Sequence, residues 1–548
     1  MAAPDFNPTV SARSWRKYHA QTAQSHLQEE LLANTERITV QTKYGPIIGG
    51  RASTGAVAFL EVPYALPPVR FENPRPLQDN YRYENKEYIY EASYCAQPRN
   101  DQLIAGTPYE NIVGLGMPTE NPLFVNIVCP PDFSPGSDRK YPVRIYIHGG
   151  FLQIGSPHEI NSQAQHIAAA RSEVWVNIGY RVSVFGFLAC GEWPKVEGNY
   201  GFKDQWLGLL WVRDNIDKFG GDPTDIQLTG LSAGGHSVHQ ILHHASRLPE
   251  GEQAPFQSVI IQSNGMMNSP KSRTELRPQF EAFCAAVGLK PYTSSIILQL
   301  RDTEALPTSK ITSVIENGQV GPEFDTFRAT TDGVWLRSDP DPMTWQRSGG
   351  LARGLREKGV RSVIVGDLTE EWFVYGMTHR VHSYADVELN LRKYYPSDIV
   401  TRMLQCYERP DDTPDALFKF MGRVLSDGQA HLPTRLLARD LINAGYPVLR
   451  YEIGWLPARV LRSGGYVSHG LDRVIWAYRE ALLEQSEIPV VLGWLDAVNA
   501  QRAAIEAGSS NEARNMKRVF ALKDGCAGWK DDTRWDDIMR LTVALPGE

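Results

Sequence analysis

The chain has 548 residues, of which 42% are hydrophobic and 22% are charged. This is the composition of a globular protein that is long enough to bury a large core. A formal net charge of -7 argues against nucleic acid or an anionic membrane surface as the main partner. No apolar run reaches the length that a bilayer-spanning helix requires.

The amino-terminal segment is polar and lacks the apolar core of a secretory signal. We predict that residues 1–36 are a polar, helical extension and that residues 37–548 form a single domain. The six cysteines are scattered along the chain, with no C-x-x-C pair. Scattered cysteines without an export signal favour reduced thiols, so the expected location is cytoplasmic.

Short β-rich runs alternate with helical patterns through the rest of the chain. The stretch ITVQTKYGPIIGG predicts a hairpin that turns at Tyr44 and Gly45. The alternation predicts an α/β fold with a doubly wound, mostly parallel central sheet, whose ligand site lies beyond the carboxyl ends of the strands. Insertions near 266–345 and 377–445 have helical spacing and are predicted to form a lid. Later strands are expected at 123–128, 143–147, 173–178, 225–230, 258–262, 361–365 and, as the last one, 447–453.

The most informative segment is Gly-Leu-Ser-Ala-Gly-Gly at 230–235, between a buried strand pattern and a helical one. The glycines on either side of Ser232 allow the close backbone approach of a sharp strand-to-helix turn. Such a turn exposes the serine hydroxyl above the edge of the sheet. We therefore predict that Ser232 is a catalytic nucleophile.

A glycine-rich turn follows the strand predicted at 143–147, with the sequence His-Gly-Gly-Phe. Backbone N–H groups of Gly149, Gly150 and Ala233 are predicted to form an oxyanion hole. His148 is expected to brace this turn and not to take part in the chemistry.

A serine nucleophile needs a base and a carboxylate that orients the base. In α/β-hydrolases these partners follow in the order serine, acid, histidine. The strand ending near Gly366 is followed by three acids, Asp367, Glu370 and Glu371, and spacing alone does not choose among them. His469 lies in the loop after the last predicted strand, where the order requires the base.

Other histidines cluster on the helix predicted after Ser232. His239 and His243 are one turn apart, a spacing that suits a metal, but no glutamate accompanies them as in H-E-x-x-H. We predict that they are core residues, and that the chain uses no metal and no cofactor.

Five segments together resemble the type-B carboxylesterase and cholinesterase family from about Arg37 onward. They are FLEVPYALPPVRFENPRPL, YIHGGF, GYRVSVFGFL with GNYGFKDQ…WVRDNIDKFGGDP…GLSAGG, VIVGDLTEEWFVYG and HGLDRVIWAY. The resemblance implies an α/β-hydrolase fold and places the catalytic acid on Glu371, with Glu370 as the first alternative and Asp367 as the second. It also implies that Phe151, Trp372 and Phe373 line an apolar or aromatic substrate pocket.

The resemblance further implies two structural ion pairs, Arg70 with Glu120 and Arg181 with Asp204. The chain departs from the family at the first disulfide. The family has a cysteine near position 122 that would pair with Cys95, but this chain has Pro122 there. This departure agrees with a reducing compartment, as in intracellular fungal-type members.

Three functions are compatible with these residues. The leading one is a serine hydrolase that cleaves a small-molecule carboxylic ester or thioester through an acyl-enzyme on a Ser-His-Glu triad. The second uses the same triad in secondary metabolism, as an acyltransferase, a lactone-forming cyclase or a thioesterase-like release enzyme. A non-catalytic binding protein is the third, and it is disfavoured because Ser232, Glu371 and His469 are all present.

Overall fold

A twelve-stranded sheet runs through the computed structural model, which describes residues 25–99, 108–191, 193–461 and 465–548. The order across the sheet is β1-β2-β3-β4-β6-β5-β7-β8-β9-β10-β11-β12. In chain order the strands are β1 Arg37–Thr42, β2 Gly45–Arg51, β3 Val57–Pro63, β4 Phe124–Cys129, β5 Tyr141–Ile147, β6 Val174–Ile178, β7 Gly221–Leu231, β8 Ser258–Gln262, β9 Ser362–Leu368, β10 Val448–Ile453, β11 Arg518–Lys523 and β12 Cys526–Asp531.

The strands from β6 to β11 pair in parallel, and the strands at the two edges pair antiparallel. The predicted doubly wound, mostly parallel sheet is confirmed, as is the hairpin of β1 and β2. Its turn lies at Lys43 and Tyr44, one residue earlier than predicted, because Gly45 already belongs to β2 and pairs with Thr42. The expectation that 447–453 is the last strand is wrong, because β11 and β12 follow it. Their short segments, RVFALK and CAGWKD, carry charges within or beside the apolar run, so their pattern is weak. The strand β11 forms because it pairs in parallel with the buried β10, a contact that its own sequence pattern does not indicate.

The core lies on both faces of the sheet. In β8, Val259 and Ile261 pack into one cluster while Ile260 between them packs into the other. In β9, Val363 and Val365 join the first cluster and Ile364 the second. Nearly continuous apolar runs are therefore required, because successive side chains of a central parallel strand enter opposite layers.

Helices cover both faces of the sheet. Among the described residues, no helix has the length and apolar character needed to cross a bilayer. The longer helices are Tyr200–Asn215, Ala233–Ala245, Arg277–Ala286, Thr308–Glu316, Gly350–Glu357, Tyr384–Arg392, Ser397–Leu404, Pro414–Ser426, Leu432–Asn443 and Ile488–Glu506. Shorter ones include Leu27–Ala33, Tyr109–Val113, Gln165–Arg171, Ser183–Phe187, Ile296–Arg301, Pro342–Arg347, Trp372–Thr378, Ala458–Leu461, Arg473–Trp476 and Trp535–Met539.

The two predicted insertions are helical and connect neighbouring strands of the sheet. The first lies between β8 and β9, and the second between β9 and β10. Of the predicted amino-terminal extension, residues 1–24 lie outside the described part. Its described end contains the helix Leu27–Ala33, which buries Leu27 and Leu31 in the core.

Both ion pairs implied by the family resemblance are present. Arg70 donates through Nε to Glu120 Oε2 at 2.8 Å and through a second nitrogen to the other carboxylate oxygen. Arg181 binds Asp204 in a bidentate pair at 2.8 and 2.6 Å, with both side chains buried. Arg181 also donates to the carbonyl of Glu72 at 2.8 Å, so this pair connects separate segments.

Replacement of Arg181 by alanine is expected to lower the free energy of unfolding by about 3–5 kcal/mol, because the buried carboxylate of Asp204 would lose its cation. The matched control is Arg213→Ala, which breaks an exposed pair with Asp214 and is expected to cost less than about 1 kcal/mol. Chemical denaturation of the two variants measures the difference. Equal stability losses would contradict a structural role for the buried pair.

Candidate active site

The candidate nucleophile lies at the sharp turn between β7 and the helix Ala233–Ala245. Ser232 has φ 57° and ψ -126°, a strained conformation of the kind found at functional turns. Its N–H donates to the carbonyl of Gln262 at 2.8 Å, which ties the turn to the end of β8. A Cβ atom on Gly230 would lie 2.2 Å from the carbonyl oxygen of Gly234, and one on Gly234 would lie 2.0 Å from that of Ile147. Both glycines are therefore sterically required.

His469 and Glu371 form the acid–base contact of the site. His469 Nδ1 lies 2.6 Å from Glu371 Oε2, and the N–H of Leu368 donates to Glu371 Oε1 at 2.9 Å. Glu371 is fully buried. His469 Nε2 is also buried and has no hydrogen-bond partner among the described residues. The arrangement leaves that nitrogen available to accept a proton from a bound reactant or a nucleophile.

The histidine loop packs beside the serine turn. A Cβ atom on Gly470 would lie 3.7 Å from Cδ2 of Leu231, the residue before Ser232. The two predicted catalytic segments therefore meet at the carboxyl edge of the sheet, although 237 positions separate Ser232 from His469 along the chain.

The other two candidate acids have different partners. Asp367 is held by Arg435, Arg534 and His431, at 2.8, 3.3 and 2.7 Å. Burial alone would raise the pKa of Asp367, but these cationic neighbours outweigh it and hold the pKa well below its ordinary value. Glu370 accepts from the N–H of Val467 at 2.9 Å. Geometry thus separates three neighbouring acids that spacing leaves equivalent.

The predicted oxyanion turn lies against the serine. A Cβ atom on Gly149 would be 3.6 Å from Ser232 Oγ. Gly150 has φ 102°, and a Cβ atom there would lie 2.2 Å from the carbonyl oxygen of Ile154, so only glycine fits. Within the described part of the chain, the amides of Gly149, Gly150 and Ala233 donate to no protein acceptor. These three N–H groups are thus left without a protein acceptor next to the serine.

His148 braces this turn, as expected. Its ring stacks on Tyr180 at 4.4 Å, and its Nδ1 lies 2.9 Å from the carbonyl oxygen of Gly149. The Tyr180 hydroxyl donates to the His148 carbonyl at 3.0 Å. Burial lowers the pKa of His148 to about 4, so the ring is neutral near pH 7.

The predicted substrate-pocket residues fall into two groups. Phe151 packs edge-to-face on Tyr375 and His379, with ring centres 6.2 and 5.4 Å apart. Trp372 and Phe373 instead form an aromatic cluster that also contains Phe418 and Tyr466. In the described chain, none of the three predicted residues lines the cavity bounded by His236, Arg328 and Tyr395. Their role in substrate binding stays a prediction.

Two further residues of the site, Tyr375 and Ser468, are not marked by any motif in the sequence. The ring of Tyr375 lies 4.5 Å from that of His469, and it connects the histidine to Phe151. Ser468 accepts from the N–H of Val374 at 3.1 Å and donates to the carbonyl of Glu371 at 3.3 Å. Tyr375 is four residues after Glu371 in a helical segment, so i, i+4 spacing was the available signal.

The paired histidines on the helix after Ser232 bind protein groups. His239 Nε2 lies 2.8 Å from Gln346 Oε1, and its Nδ1 accepts from the N–H of Met266 at 3.0 Å. His243 stacks on His239 at 5.2 Å. In the residues that the structure describes, no cluster of three or more His, Cys, Asp or Glu side chains suits a metal ion.

The mostly parallel sheet and the strand–serine–helix turn define an α/β-hydrolase. The solved structure of a PNB esterase shares the fold, with a TM-score of 0.69 and 21% identity over 92% of this chain and 100% of that one. The sequence model of the carboxylesterase family matches residues 36–470. The chain belongs to this family, which confirms the type-B carboxylesterase resemblance, and it is a carboxylic-ester hydrolase.

Curated relatives match over most of their length. An uncharacterized esterase/lipase of Schizosaccharomyces pombe is 29% identical over 521 residues, covering 89% of this chain and 92% of the relative. A carboxylic ester hydrolase of Gibberella moniliformis is 28% identical over 535 residues, covering 91% and 93%. Liver carboxylesterase B-1 of Rattus norvegicus is 30% identical over 458 residues, covering 76% of each chain.

Proposed function

We propose that the chain hydrolyses carboxylic esters through an acyl-enzyme on Ser232. His469 takes the hydroxyl proton as Ser232 attacks the carbonyl carbon, and returns it to the leaving alcohol. Glu371 holds the imidazole in the orientation that leaves Nε2 free to act as the base. Water, activated by the same histidine, then attacks the acyl carbon and releases the acid.

One observation carries this proposal. The Nδ1 atom of His469 lies 2.6 Å from a carboxylate oxygen of Glu371, while its buried Nε2 has no partner in the described chain. A buried polar atom without a partner is costly, and a proton-accepting role explains why it persists. The position of this loop beside Leu231 directs it toward the serine turn.

The amides of Gly149, Gly150 and Ala233 are proposed to bind the carbonyl oxygen as it becomes negative. Backbone donors in a rigid, water-poor site need little reorganisation during the reaction. The contacts of His148 with Tyr180 and of Gly150 with Ile154 support that rigidity.

We also propose that the helical insertions near 266–345 and 377–445 act as the lid and walls of the substrate cleft.

A cytosolic location is part of the proposal. All six cysteines carry free thiols, and four of them are buried. Free thiols are typical of proteins in a reducing compartment.

Covalent labelling tests the proposed nucleophile. A fluorophosphonate probe is expected to modify Ser232 in the native protein, with the labelled peptide identified by mass spectrometry. Ser232→Ala protein is the matched control and should remain unlabelled. Labelling that persists in this variant, or failure to label the native protein, would contradict the mechanism.

Product analysis separates hydrolysis from acyl transfer. The native protein is given an ester together with a primary alcohol or amine in excess, and the products are quantified by mass spectrometry. Free acid as the main product is expected for a hydrolase. Predominant transfer to the added nucleophile would instead support the biosynthetic acyltransferase, and an intramolecular ester from a hydroxy-ester substrate would support the cyclase.

A further inference from the structure

A cavity lies beside the serine turn, between the two helical insertions. It is bounded by His236, one turn along the helix from Ser232, and by Gly265, just after β8. Arg328 of the first insertion and Tyr394 and Tyr395 of the second complete this part of the wall. The cavity therefore lies between the two insertions and begins one helical turn beyond Ser232.

Arg328 is the unusual group in this wall. Among the described residues, its guanidinium has no carboxylate within 4.0 Å and no hydrogen-bond acceptor; it packs over the ring of Tyr394, 4.9 Å from its centre. Burial lowers the pKa of Arg328, yet arginine keeps its charge in proteins. A partly desolvated cation without an anionic partner is costly, so an anion would bind favourably there.

Two other cations along the cavity are paired. Arg392 reaches Glu323 at 4.0 Å, and Lys393 binds Asp325 at 2.8 Å. These acids neutralise their own partners and leave Arg328 uncompensated.

A second cation adds to the positive character of the cavity. Lys271 lines the same space and has no carboxylate within 4.0 Å in the described chain; burial lowers its pKa. Glu275 is also in the wall, but it accepts from the N–H and hydroxyl of Ser272 at 2.8 and 2.7 Å. Glu275 and Glu323 act on Lys271 and offset part of its charge, so Arg328, with no described carboxylate within 4.0 Å, carries the charge of this wall that is left uncompensated.

Arg328 is held in a defined position relative to the candidate oxyanion turn. The preceding residue, Phe327, donates its N–H to Gln153 Oε1 at 3.1 Å and accepts from Gln153 Nε2 at 2.6 Å. The same amide nitrogen donates to the carbonyl of Phe151 at 3.1 Å. Tyr394, below the guanidinium, also packs on Phe151, with ring centres 6.3 Å apart. The cation is thus connected to the reacting centre by a rigid bridge.

We propose that Arg328 binds a free, negatively charged carboxylate of the substrate. The preferred esters are then half-esters of dicarboxylic acids, or hydroxy acids acylated on their hydroxyl group. This inference rests on the proposed function of Ser232. A planar guanidinium binds a carboxylate through two parallel N–H donors, which fixes orientation as well as charge. Binding energy from this remote group positions the ester carbonyl over the nucleophile.

Matched substrates test the proposal. Monoethyl adipate carries the charge on the acyl side, and 4-acetoxybutanoate carries it on the alcohol side. Each is compared with the neutral ester in which an amide replaces the carboxylate. The native protein is expected to show a kcat/KM about ten- to hundredfold higher for one anionic ester than for its amide, because a charge-assisted hydrogen bond is stronger than a neutral one.

Variants of Arg328 locate the source of that preference. Arg328→Gln is expected to abolish the preference, so that the ratio of kcat/KM for the anionic ester to that for its amide falls to about one, because the glutamine carries no charge to bind the carboxylate. Arg328→Lys should retain part of it, because lysine lacks the planar bidentate donors. Arg409→Gln is the matched control and should keep the preference, because Arg409 also packs over a tyrosine ring, 4.5 Å from the centre of Tyr384, but does not line this cavity.

A binding measurement separates this proposal from the mechanism at Ser232. Titration calorimetry with dicarboxylates from succinate to sebacate is performed on Ser232→Ala protein, with and without Arg328→Gln. Binding that disappears with Arg328→Gln supports the anion site even if neutral esters are not turned over. Absence of dicarboxylate binding, equal kcat/KM for charged and neutral esters, or equal loss of both in Arg328→Gln would overturn the proposal.

Discussion

Replacement of Ser232 by alanine is expected to lower kcat for ester hydrolysis by about 10⁶-fold, the loss seen when a triad nucleophile is removed from a serine hydrolase. The hydroxyl is the group that attacks the carbonyl, and the strained turn between Gly230 and Gly234 offers no second hydroxyl, because its other side chains are those of Leu231 and Ala233. KM should change little, because the oxyanion turn and cavity stay intact. Steady-state hydrolysis of a neutral ester, followed over several hours, measures the residual rate.

Three further variants make this result interpretable. Ser172→Ala removes another serine with a positive φ of 51°, outside the candidate site, and should retain native kcat. His469→Ala should lose about as much activity as Ser232→Ala, and the double variant little more, because the two groups act as a unit. Residual activity of Ser232→Ala above about one hundredth of native would exclude Ser232 as the nucleophile.

Replacement of Glu371 by glutamine is expected to lower kcat by about 10⁴-fold with the fold preserved. The neutral amide cannot stabilise the imidazolium that forms when His469 takes the proton, and it can hold the ring in the wrong tautomer. The carboxylate is fully buried and accepts from both the Leu368 N–H and His469, so no water can replace it easily. Stopped-flow and steady-state rates on a neutral ester give the loss.

The neighbouring glutamate is the matched control for this variant. Glu370→Gln keeps an oxygen that can accept from the N–H of Val467, so kcat should stay within about threefold of native. The two substitutions differ by one position and have the same chemistry. A large loss in Glu370→Gln with near-native activity in Glu371→Gln would assign the acid to Glu370.

Much of the fold could be predicted because its signals are local. The apolar runs of β8 and β9 are continuous, since each strand buries both faces. The hairpin of β1 and β2 follows from the alternation of its residues, although its turn lies at Lys43 and Tyr44, one residue earlier than predicted. In contrast, β11 became a strand through pairing with β10, a long-range contact that no local pattern encodes.

The serine turn is the part of the site that the sequence determined most completely. Spacing of Gly230 and Gly234 around Ser232 reflects backbone approaches that leave no room for a Cβ atom, so the pattern carries its own steric reason. Spacing within one segment could not separate Asp367, Glu370 and Glu371. Family resemblance favoured Glu371, and the geometry agrees with it.

Only the tertiary structure decided which side chains meet across long stretches of chain. Glu371 and His469 are 98 positions apart, and their contact depends on the parallel pairing of β9 with β10. No motif or periodic pattern in the sequence singles out Arg328. Its uncompensated charge is visible only in the packed structure, where no described carboxylate lies within 4.0 Å of it. Local sterics and periodicity are written in neighbouring residues, whereas charge compensation is a sum over groups that only the packed chain brings together.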